Sequence, residues 1–307
     1  MSSPTVFIAS ATGTQGSAVA RQLRGMGWDV HATTRHLDSA AAKSLQAIGV
    51  QFSVGDWDNE ETLREQIEGC SKLFLVMFPT LTDLRREVEQ AKHIISIAKA
   101  AGVKQVLYTS AYGVQTPERS KHYNPNSLVT ATLAAKKAIE DEIRNANFEY
   151  WTIIRPGWFM ANFLEPKVKM YAGLTETNTW TTGILPNSKM PLIDHEDIAK
   201  FAIAAFKDPV RFNGRAFEIA SDIRYPGDVI KSLGDASHRH IKIHFLTDDE
   251  IDAQKSNPLV SSTLVLRDMA QFVDFDEVKS WGIPVTTWED FLRREKEAVE
   301  KTYPSPP

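Results

Sequence analysis

The sequence predicts an α/β fold built on a doubly wound parallel sheet, with helices on both faces of the sheet. Two observations lead to this prediction. Short apolar runs alternate with helical segments through the first half of the 307-residue chain, and glycines such as Gly49 and Gly102 close the helices. Because strand–helix–strand crossovers share one hand and return the chain to the same sheet, this alternation builds one parallel sheet.

Each strand is predicted from a short apolar or β-branched run, and each helix from apolar residues at helical spacing. The run at 73–77 is apolar throughout, which is typical of a strand buried on both faces. Asn59 is expected to cap the third helix. The predicted strands are 5–9, 28–34, 50–54, 73–77, 105–109 and 150–154, and the predicted helices are 15–26, 40–48, 60–67, from Thr82 or Asp83 to 101, and 130–146.

The second half of the chain has a less regular pattern. Acidic residues open the helix expected at 194–206, as the helix dipole favours. The other predicted elements are strands at 190–193 and 216–220, followed by helices and one strand among segments 228–233, 240–246 and 287–299.

These elements suggest two parts. We expect residues 1–155, with about 190–220, to form the sheet domain. Residues 156–189 and 221–307 are expected to form a smaller α+β cap. Open α/β sheets bind ligands outside the carboxyl ends of their strands, so such a cap would close a pocket there.

Composition excludes several classes of protein. The chain is 42% hydrophobic and 24% charged, as ordinary globular chains are, and its net charge of -4 provides no basic field for nucleic acid. Cys70 is the one cysteine, which excludes an internal disulfide and a cysteine-rich zinc site. No apolar run approaches the roughly 20 residues of a membrane span, and the first residues lack the basic start of a signal peptide. We therefore expect a cytoplasmic protein with no metal, membrane or nucleic-acid partner.

A glycine turn follows the first predicted strand and opens the first helix. Ser10 stands where a full glycine pattern would have its first glycine. A strand, a glycine turn and a helix N-terminus together present backbone N–H groups to a phosphate, as in Rossmann folds. The residues expected to bind a dinucleotide pyrophosphate are Thr12, Gly13, Thr14, Gln15 and Gly16. The alternative is a tight turn that binds nothing.

Two further positions would bind the adenosine half. Arg35 closes the second strand, where a planar cation suits the 2′-phosphate of NADP, and His36 could add a second donor. Asp56 and Trp57 follow the third strand, where the acid could accept from the adenine amine and the indole could stack. A solvated charge for Arg35, and a turn with a capping carboxylate for Asp56, are the alternatives.

Together these residues resemble the NmrA-like branch of the atypical short-chain dehydrogenases/reductases, with isoflavone reductase-like relatives. The segments that carry the resemblance are ATGTQG at 11–16, Gly55-Asp56, KKAIE at 136–140 and IRPGWFMANF at 154–163. The resemblance implies a fold that prefers NADP(H), with Pro156 and Lys136 at the cofactor and a substrate cleft under the cap. Some members of the family reduce quinones, imines or phenolic natural products, and others act as redox-sensing regulators.

The resemblance also identifies catalytic candidates. Lys136 falls at the position of the family's lysine, which binds the nicotinamide ribose, and Ser110 matches a serine at the end of the fifth strand. Thr132 occupies the place of the usual tyrosine, so the tyrosine mechanism is not available in its ordinary form. Tyr112 or Tyr123, in the following loop, could supply a proton instead, although loop tyrosines often only pack.

An aromatic stretch follows the sixth strand. Its side chains could line an apolar pocket for a flat substrate, or they could pack the core of the cap. The candidate substrate residues are Trp158, Phe159, Asn162, Phe163 and Trp180, with Tyr171 nearby.

The sequence favours an NADPH-dependent reductase of an apolar, ring-containing small molecule of imine, quinone or conjugated carbonyl type. Two alternatives remain open. One is a regulator that senses NADP(H) without turnover and binds a partner protein, which Thr132 favours. The other is a non-redox enzyme, a cyclase or isomerase, on the same fold.

Overall fold

The computed structural model describes residues 3–171, 173–254 and 257–304. The chain divides into two compact units. Unit 1 comprises the residues up to Val114, with Thr132–Arg155 and Ile198–Phe217. Unit 2 comprises Gln115–Ala131, Pro156–Asp197 and the residues from Glu218 onward.

The helices and strands are numbered in chain order. The strands are β1 (Thr5–Ile8), β2 (Asp29–Thr34), β3 (Gln51–Val54), β4 (Lys72–Val76), β5 (Gln105–Thr109), β6 (Tyr150–Pro156), β7 (Trp158–Phe159), β8 (Thr179–Thr182), β9 (Met190–Ile193), β10 (Arg215–Ile219), β11 (Asp222–Arg224) and β12 (Lys242–Phe245). The helices are α1 (Thr14–Gly25), α2 (Ala40–Ala47), α3 (Glu60–Ile67), α4 (Leu84–Ala100), α5 (Leu128–Asn145), α6 (His195–Lys207), α7 (Pro209–Phe212), α8 (Pro226–Ser237), α9 (Asp248–Ala253), α10 (Pro258–Leu266), α11 (Phe275–Ser280), α12 (Trp288–Arg294) and α13 (Lys296–Thr302).

The main sheet has seven strands among the described residues, in the order β10-β6-β5-β4-β1-β2-β3. Neighbours from β3 to β6 pair in parallel, and Val6 of β1 aligns with Val30 of β2 and with Lys72 of β4. The winding reverses between β1 and β4, which are neighbours in the sheet but not in the chain. This arrangement confirms the doubly wound α/β fold, and it puts a topological switch point, the usual ligand crevice, between β1 and β4.

The core of unit 1 is formed by the central strands and the helices against them. Phe7, Leu73 and Leu75 are fully buried in one cluster with Ile94 of α4 and Ile139 of α5. Each such side chain contributes about 1.5–3 kcal/mol by leaving water. The last four residues of β4 are buried, as the apolar run predicted.

Unit 2 contains two smaller sheets among its described residues. One has the order β11-β9-β7, with β9 antiparallel to β11 and parallel to β7. The other pairs β8 with β12 in parallel. Trp180 and Trp288 are almost fully buried, so aromatic side chains form much of the core of this unit.

The structure gives the secondary structure of unit 2 in more detail than the sequence predicts. The segment 287–299, one of three expected to hold helices and one strand, contains two helices, α12 and α13, because Glu295 between them leaves the helical conformation with φ -90° and ψ 23°. Several further elements were not predicted, because most of them are too short to show a periodic apolar pattern. They are β7, β8, β11, α7, α9, α10 and α11.

Candidate functional site

The glycine turn lies at the switch point of the sheet, between β1 and α1. Gly13 is the N-cap of α1 in an extended conformation, with φ -83° and ψ 169°, and no side chain caps this helix. Its own N–H donates to the Ser10 carbonyl at 3.1 Å, which closes a tight turn. An uncapped helix start of this kind leaves backbone N–H groups and the positive end of the helix dipole to an anion.

Gly16 is required by the packing of α1 against the turn. A Cβ atom on Gly16 would lie 2.0 Å from the Ser10 carbonyl oxygen and 2.6 Å from its carbon, both of them backbone atoms. A Cβ on Gly13 would meet the Ser10 hydroxyl oxygen at 3.0 Å. The turn therefore accommodates Ser10 in place of the first glycine. Gly13 and Gly16 allow the start of α1 to lie close to the Ser10 residue.

Gln15 provides a second indication of a ligand at this turn. Its side-chain Oε1 is buried and has no hydrogen-bond partner among the described residues. Thr12 and Thr14, beside it, are partly buried. The free backbone N–H groups at the start of α1 can bind a phosphate, and the unpaired Gln15 amide oxygen can accept a hydrogen bond from a ribose hydroxyl. These residues therefore fit a dinucleotide.

Phe78 is a residue of this site that sequence reasoning missed. It follows β4 across the switch point, and its side chain is 45% exposed. Its ring carbon Cε2 lies 3.5 Å from the position that a Cβ on Gly13 would take. The phenyl ring thus borders the glycine turn, although the apolar run before it gave no sign that the next side chain points there.

The predicted ribose residues lie at the end of β2, next to β1 in the sheet. Arg35 and His36 are both exposed, and the His36 N–H donates to the Thr34 hydroxyl at 3.3 Å. Within the part of the chain that the structure describes, Arg35 has no ion-pair partner. Its guanidinium is therefore available to an anionic group.

Asp56 and Trp57 differ in how well they fit the predicted adenine contacts. The Asp56 carboxylate is exposed and accepts the Asp58 N–H at 3.0 Å, so it caps a turn. The Trp57 indole N–H donates to the Ala9 carbonyl at 2.6 Å, and its ring packs against the buried core of unit 1. This packing explains Trp57 without a ligand, and the stacking predicted for it gains no support.

Lys136 lies on α5, opposite the first turn of α4. Its ammonium Nζ is 3.0 Å from Glu87 Oε1. The Lys136 side chain is 12% exposed, whereas Glu87 is fully buried. Sequence reasoning missed Glu87. An acidic residue in the first turn of a helix usually only interacts favourably with the helix dipole, so its position gave no sign of a buried ion pair.

A second buried ion pair lies one helical turn further along α5. Arg155 of β6 donates to both carboxylate oxygens of Glu140, at 2.9 and 2.8 Å, and Arg144 donates to one of them at 2.8 Å. Burial alone would raise the pKa of Glu140. The hydrogen bond and charge of Arg155, with help from Ser110 and Arg144, instead lower that pKa to about 2. Glu140 is therefore ionised, and Ser110, just after β5, is close enough to affect its carboxylate.

Three tyrosines that lie in β5 or between β5 and α5 in the sequence differ in burial and in the unit to which they belong. Tyr108 of β5 is fully buried, and burial, with the nearby charges of Glu87 and Glu140, raises its pKa well above 10.0. Tyr112 is buried in unit 1, with 6% exposure. Tyr123 belongs to unit 2 and is 38% exposed. Unit 1 thus brings together Ser110 and the α5 ion pairs, while Tyr123 lies in the other unit.

The aromatic stretch forms part of the core of unit 2. The ring centroid of Phe163 lies 5.5 Å from that of Trp180 and 5.4 Å from that of Trp288. The Trp158 indole N–H donates to the Tyr171 hydroxyl at 2.7 Å. Trp158, Phe163 and Trp180 are all buried, which favours the packing alternative for these three.

Phe159 and Asn162 are the two candidate substrate residues that keep partial exposure. Asn162 makes a hydrogen bond to the Tyr171 hydroxyl and thereby contributes to the environment of that phenol. Pro156 is the last residue of β6 and is buried. A substrate role for the stretch therefore rests on Phe159 and Asn162.

The described residues contain no group of three or more histidine, cysteine, aspartate or glutamate side chains arranged to bind a metal ion. His244 is paired with Glu250 at 3.0 Å. Among those same residues, no helix combines the length and the apolar character needed to cross a membrane.

The fold and the glycine turn define a protein of the Rossmann-type nucleotide-binding class. A model of the NmrA-like family matches residues 2–292, and the chain belongs to that family. It is 28% identical over 241 residues to an NmrA-like family domain-containing oxidoreductase, himF, of Aspergillus japonicus, covering 74% of this chain and 71% of that protein. It is also 28% identical over 243 residues to an NAD(P)H azoreductase of Xenophilus azovorans, covering 79% and 77%.

Solved structures with the same fold include an enzyme and a regulator. NmrA, a negative transcriptional regulator crystallised with NADP, matches with a TM-score of 0.71 and 19% identity, over 97% of this chain and 98% of that one. An NADPH-dependent quinone oxidoreductase of Escherichia coli, crystallised with NADPH, matches with a TM-score of 0.70 and 21% identity, over 94% and 99%. At these identities the likeness shows the fold.

Proposed function

We propose that this protein is an NADPH-dependent reductase of an apolar, ring-containing small molecule of the imine, quinone or conjugated carbonyl type. The observation that carries the proposal is the glycine turn, where Gly16 lies against the Ser10 backbone at the switch point and α1 begins without a cap. This turn would hold the pyrophosphate. The azoreductase and the quinone oxidoreductase among the similar proteins support the choice of reaction.

NADP(H) is preferred to NAD(H) because Arg35 is an exposed guanidinium without an acidic partner among the described residues. A guanidinium can form two parallel hydrogen bonds with the adenosine 2′-phosphate, whereas NAD(H) offers only a hydroxyl there. His36 would add a donor from the same strand end. Asp56 is exposed beside β3 and would contact the adenine.

The nicotinamide half would lie by Lys136 and Ser110. When bound, the cofactor supplies hydride transfer, and the protein contributes position and polarisation. The Lys136 ammonium would donate to the ribose hydroxyls, and Pro156 would border the ring. The Ser110 hydroxyl, or the Tyr112 or Tyr123 phenol, would polarise the substrate, since Thr132 cannot replace the usual tyrosine acid. Phe159 and Asn162 would contact the substrate.

A regulator that senses NADP(H) without turnover is the second candidate. Two observations favour it: Thr132 stands where a catalytic tyrosine is usual, and NmrA, a transcriptional regulator, shares the fold. In that case a partner protein would replace the small-molecule substrate.

A turnover assay separates these functions. Purified protein with NADPH is offered quinones, azo compounds, cyclic imines and conjugated ketones, and both NADPH absorbance and product mass are followed. Consumption of NADPH with a reduced product supports the reductase, and a Lys136→Ala variant should be much slower. Tight NADPH binding with no turnover across the panel supports the regulator. Product formed without loss of NADPH would instead identify a cyclase or isomerase.

A further inference from the structure

The Glu87–Lys136 pair ties α4 to α5 inside unit 1. The two charged atoms are 3.0 Å apart, Glu87 is fully buried, and Lys136 keeps 12% of its side chain exposed. The second carboxylate oxygen, Glu87 Oε2, is buried and has no hydrogen-bond partner among the described residues. Among the described residues, Lys136 is thus the one cation paired with this buried carboxylate.

Such a pair is a costly way to join two helices. Desolvating a carboxylate opposes folding, and a buried oxygen without a donor adds to that cost, so apolar side chains of similar size would often stabilise the contact as well or better. The same helices are also joined near the surface, where Lys92 lies 3.7 Å from Glu142. A bridge between α4 and α5 alone therefore gives a weak reason for a buried glutamate.

The position of the pair provides a better reason. Glu87 stands in the first turn of α4, which follows the carboxyl end of β4. Because α5 connects β5 to its parallel neighbour β6, α5 also starts at the carboxyl edge of the sheet, and Lys136 lies in its first half. Both groups thus lie towards the edge that carries the glycine turn.

The pair also gives Lys136 a defined chemistry. An ammonium group has three N–H donors, and Glu87 takes one of them, which leaves donors for the partly exposed side. The carboxylate compensates the positive charge, so the site suits neutral hydroxyl groups better than a phosphate. A phosphate would find its donors at the glycine turn and at Arg35 instead.

We propose that Glu87 is a positioning residue, whose buried carboxylate holds the Lys136 ammonium towards the ribose hydroxyls on the nicotinamide side of NADPH. This inference rests on the proposed function. It assigns Glu87 no contact with the cofactor or the substrate, because its side chain is fully buried behind Lys136.

The test compares two ligands by calorimetric titration of the full-length protein. NADPH carries the nicotinamide ribose, whereas adenosine 2′,5′-bisphosphate carries the 2′-phosphate but lacks that ribose. Glu87→Gln should weaken NADPH binding about tenfold, the equivalent of one charge-assisted hydrogen bond. It should leave the affinity for the bisphosphate unchanged, since that ligand does not reach Lys136. Glu87→Asp, which keeps the charge, should restore part of the NADPH affinity.

A matched control is Glu142→Gln, which removes the exposed ion pair between the same two helices and should alter neither affinity. Lys136→Ala alone leaves Glu87 unpaired and is expected to lower the melting temperature. The double variant Glu87→Gln/Lys136→Ala should recover that temperature while its NADPH affinity stays low. Its NADPH affinity should equal that of Lys136→Ala, because Glu87 acts only through Lys136, and a further loss in the double variant would contradict the positioning role.

The outcomes separate the two claims. If the wild-type protein binds NADPH and Glu87→Gln binds it equally well, the positioning role is wrong and the proposed function stands. If Glu87→Gln weakens both ligands alike, Glu87 is structural and the inference is likewise overturned. If the wild-type protein binds neither ligand, the proposed function and the inference fail together.

Discussion

The guanidinium of Arg155 and the carboxylate of Glu140 meet at two points inside unit 1, with nitrogen–oxygen distances of 2.9 and 2.8 Å. Glu140 is fully buried and Arg155 is 5% exposed. This pair joins the end of β6 to α5, and so supports the helix that carries Lys136. The position of α5 therefore depends on a pair of charged groups that are buried away from water.

Removing the arginine should destabilise the protein strongly. Arg155→Met leaves the Glu140 carboxylate buried with Arg144 as its remaining cation, and we expect a loss of about 3 kcal/mol in the free energy of unfolding by urea. The control is Lys137→Met, which breaks an exposed pair with Asp141 on the same helix and should cost less than about 1 kcal/mol. Equal effects of the two substitutions would contradict this account.

The same pair predicts a pH dependence. The pKa of Glu140 is lowered from 4.5 to about 2 in the folded protein, so the unfolded chain takes up the proton more readily. The stability contributed by Glu140 is complete above pH 4.5 and is lost as the pH falls towards 2. In Arg155→Met this acid loss should be shallower, because the folded pKa is less depressed. The free energy of unfolding by urea is measured for both proteins between pH 4.5 and pH 2. If it falls equally steeply in wild type and in Arg155→Met, the prediction is wrong.

The glycine turn should tolerate no side chain at Gly16. In Gly16→Ala the new Cβ must push the Ser10 backbone away, so we expect about 1–3 kcal/mol of destabilisation and weaker NADPH binding. Gly25→Ala is the matched control at the other end of α1, where a Cβ would have no neighbour within 4 Å. It should be neutral or slightly stabilising by thermal unfolding. If Gly16→Ala is as stable as Gly25→Ala, the close contact between Gly16 and the Ser10 backbone is ruled out.

Phe78 should contribute to cofactor binding. Its partly exposed ring borders Gly13, so Phe78→Ala removes apolar contact from the switch point and should weaken NADPH binding several-fold with little change in melting temperature. Leu81→Ala, in the same loop and 59% exposed, serves as the control and should leave affinity unchanged. The two variants are compared by calorimetry, and an unchanged affinity in Phe78→Ala would remove the residue from the site.

Cys70 should be inert in the folded protein. Burial raises the pKa of its thiol to about 12, and the side chain is only 3% exposed, so neither thiolate nor access is available. Iodoacetamide at pH 8 should label the urea-unfolded chain and spare the native one, as mass spectrometry would record. Rapid native labelling would show that the region around β4 opens readily.

Sequence alone defined the elements of unit 1 closely. The predicted strand 105–109 and helix 60–67 match β5 and α3 at both ends, and most other bounds differ by one or two residues. The apolar pattern is strong there because β1, β4 and β5 are almost entirely buried between helices. The Asn59 cap also formed, with its side chain accepting the Thr62 N–H at 3.1 Å.

Unit 2 and the details of the site were harder to predict. Trp57 and Phe78 both follow the end of a strand. The Trp57 ring packs against the core, whereas the Phe78 ring borders the glycine turn. Only tertiary packing decides between these two directions. Glu87 and Glu140 look like ordinary helix-surface acids in the sequence. Their burial depends on Lys136 and Arg155, which lie 49 and 15 residues away along the chain.

The central claim is that the glycine turn and Arg35 bind NADP(H), and calorimetric titration with NADPH and NADH tests it most directly. Wild-type protein should bind NADPH tightly and NADH more weakly, and Arg35→Ala should lose that preference while keeping its NADH affinity. Arg85→Ala, an exposed arginine on α4, is the control and should keep the preference. If wild-type protein binds neither nucleotide, or if Arg35→Ala discriminates as the wild type does, the account of this site is wrong.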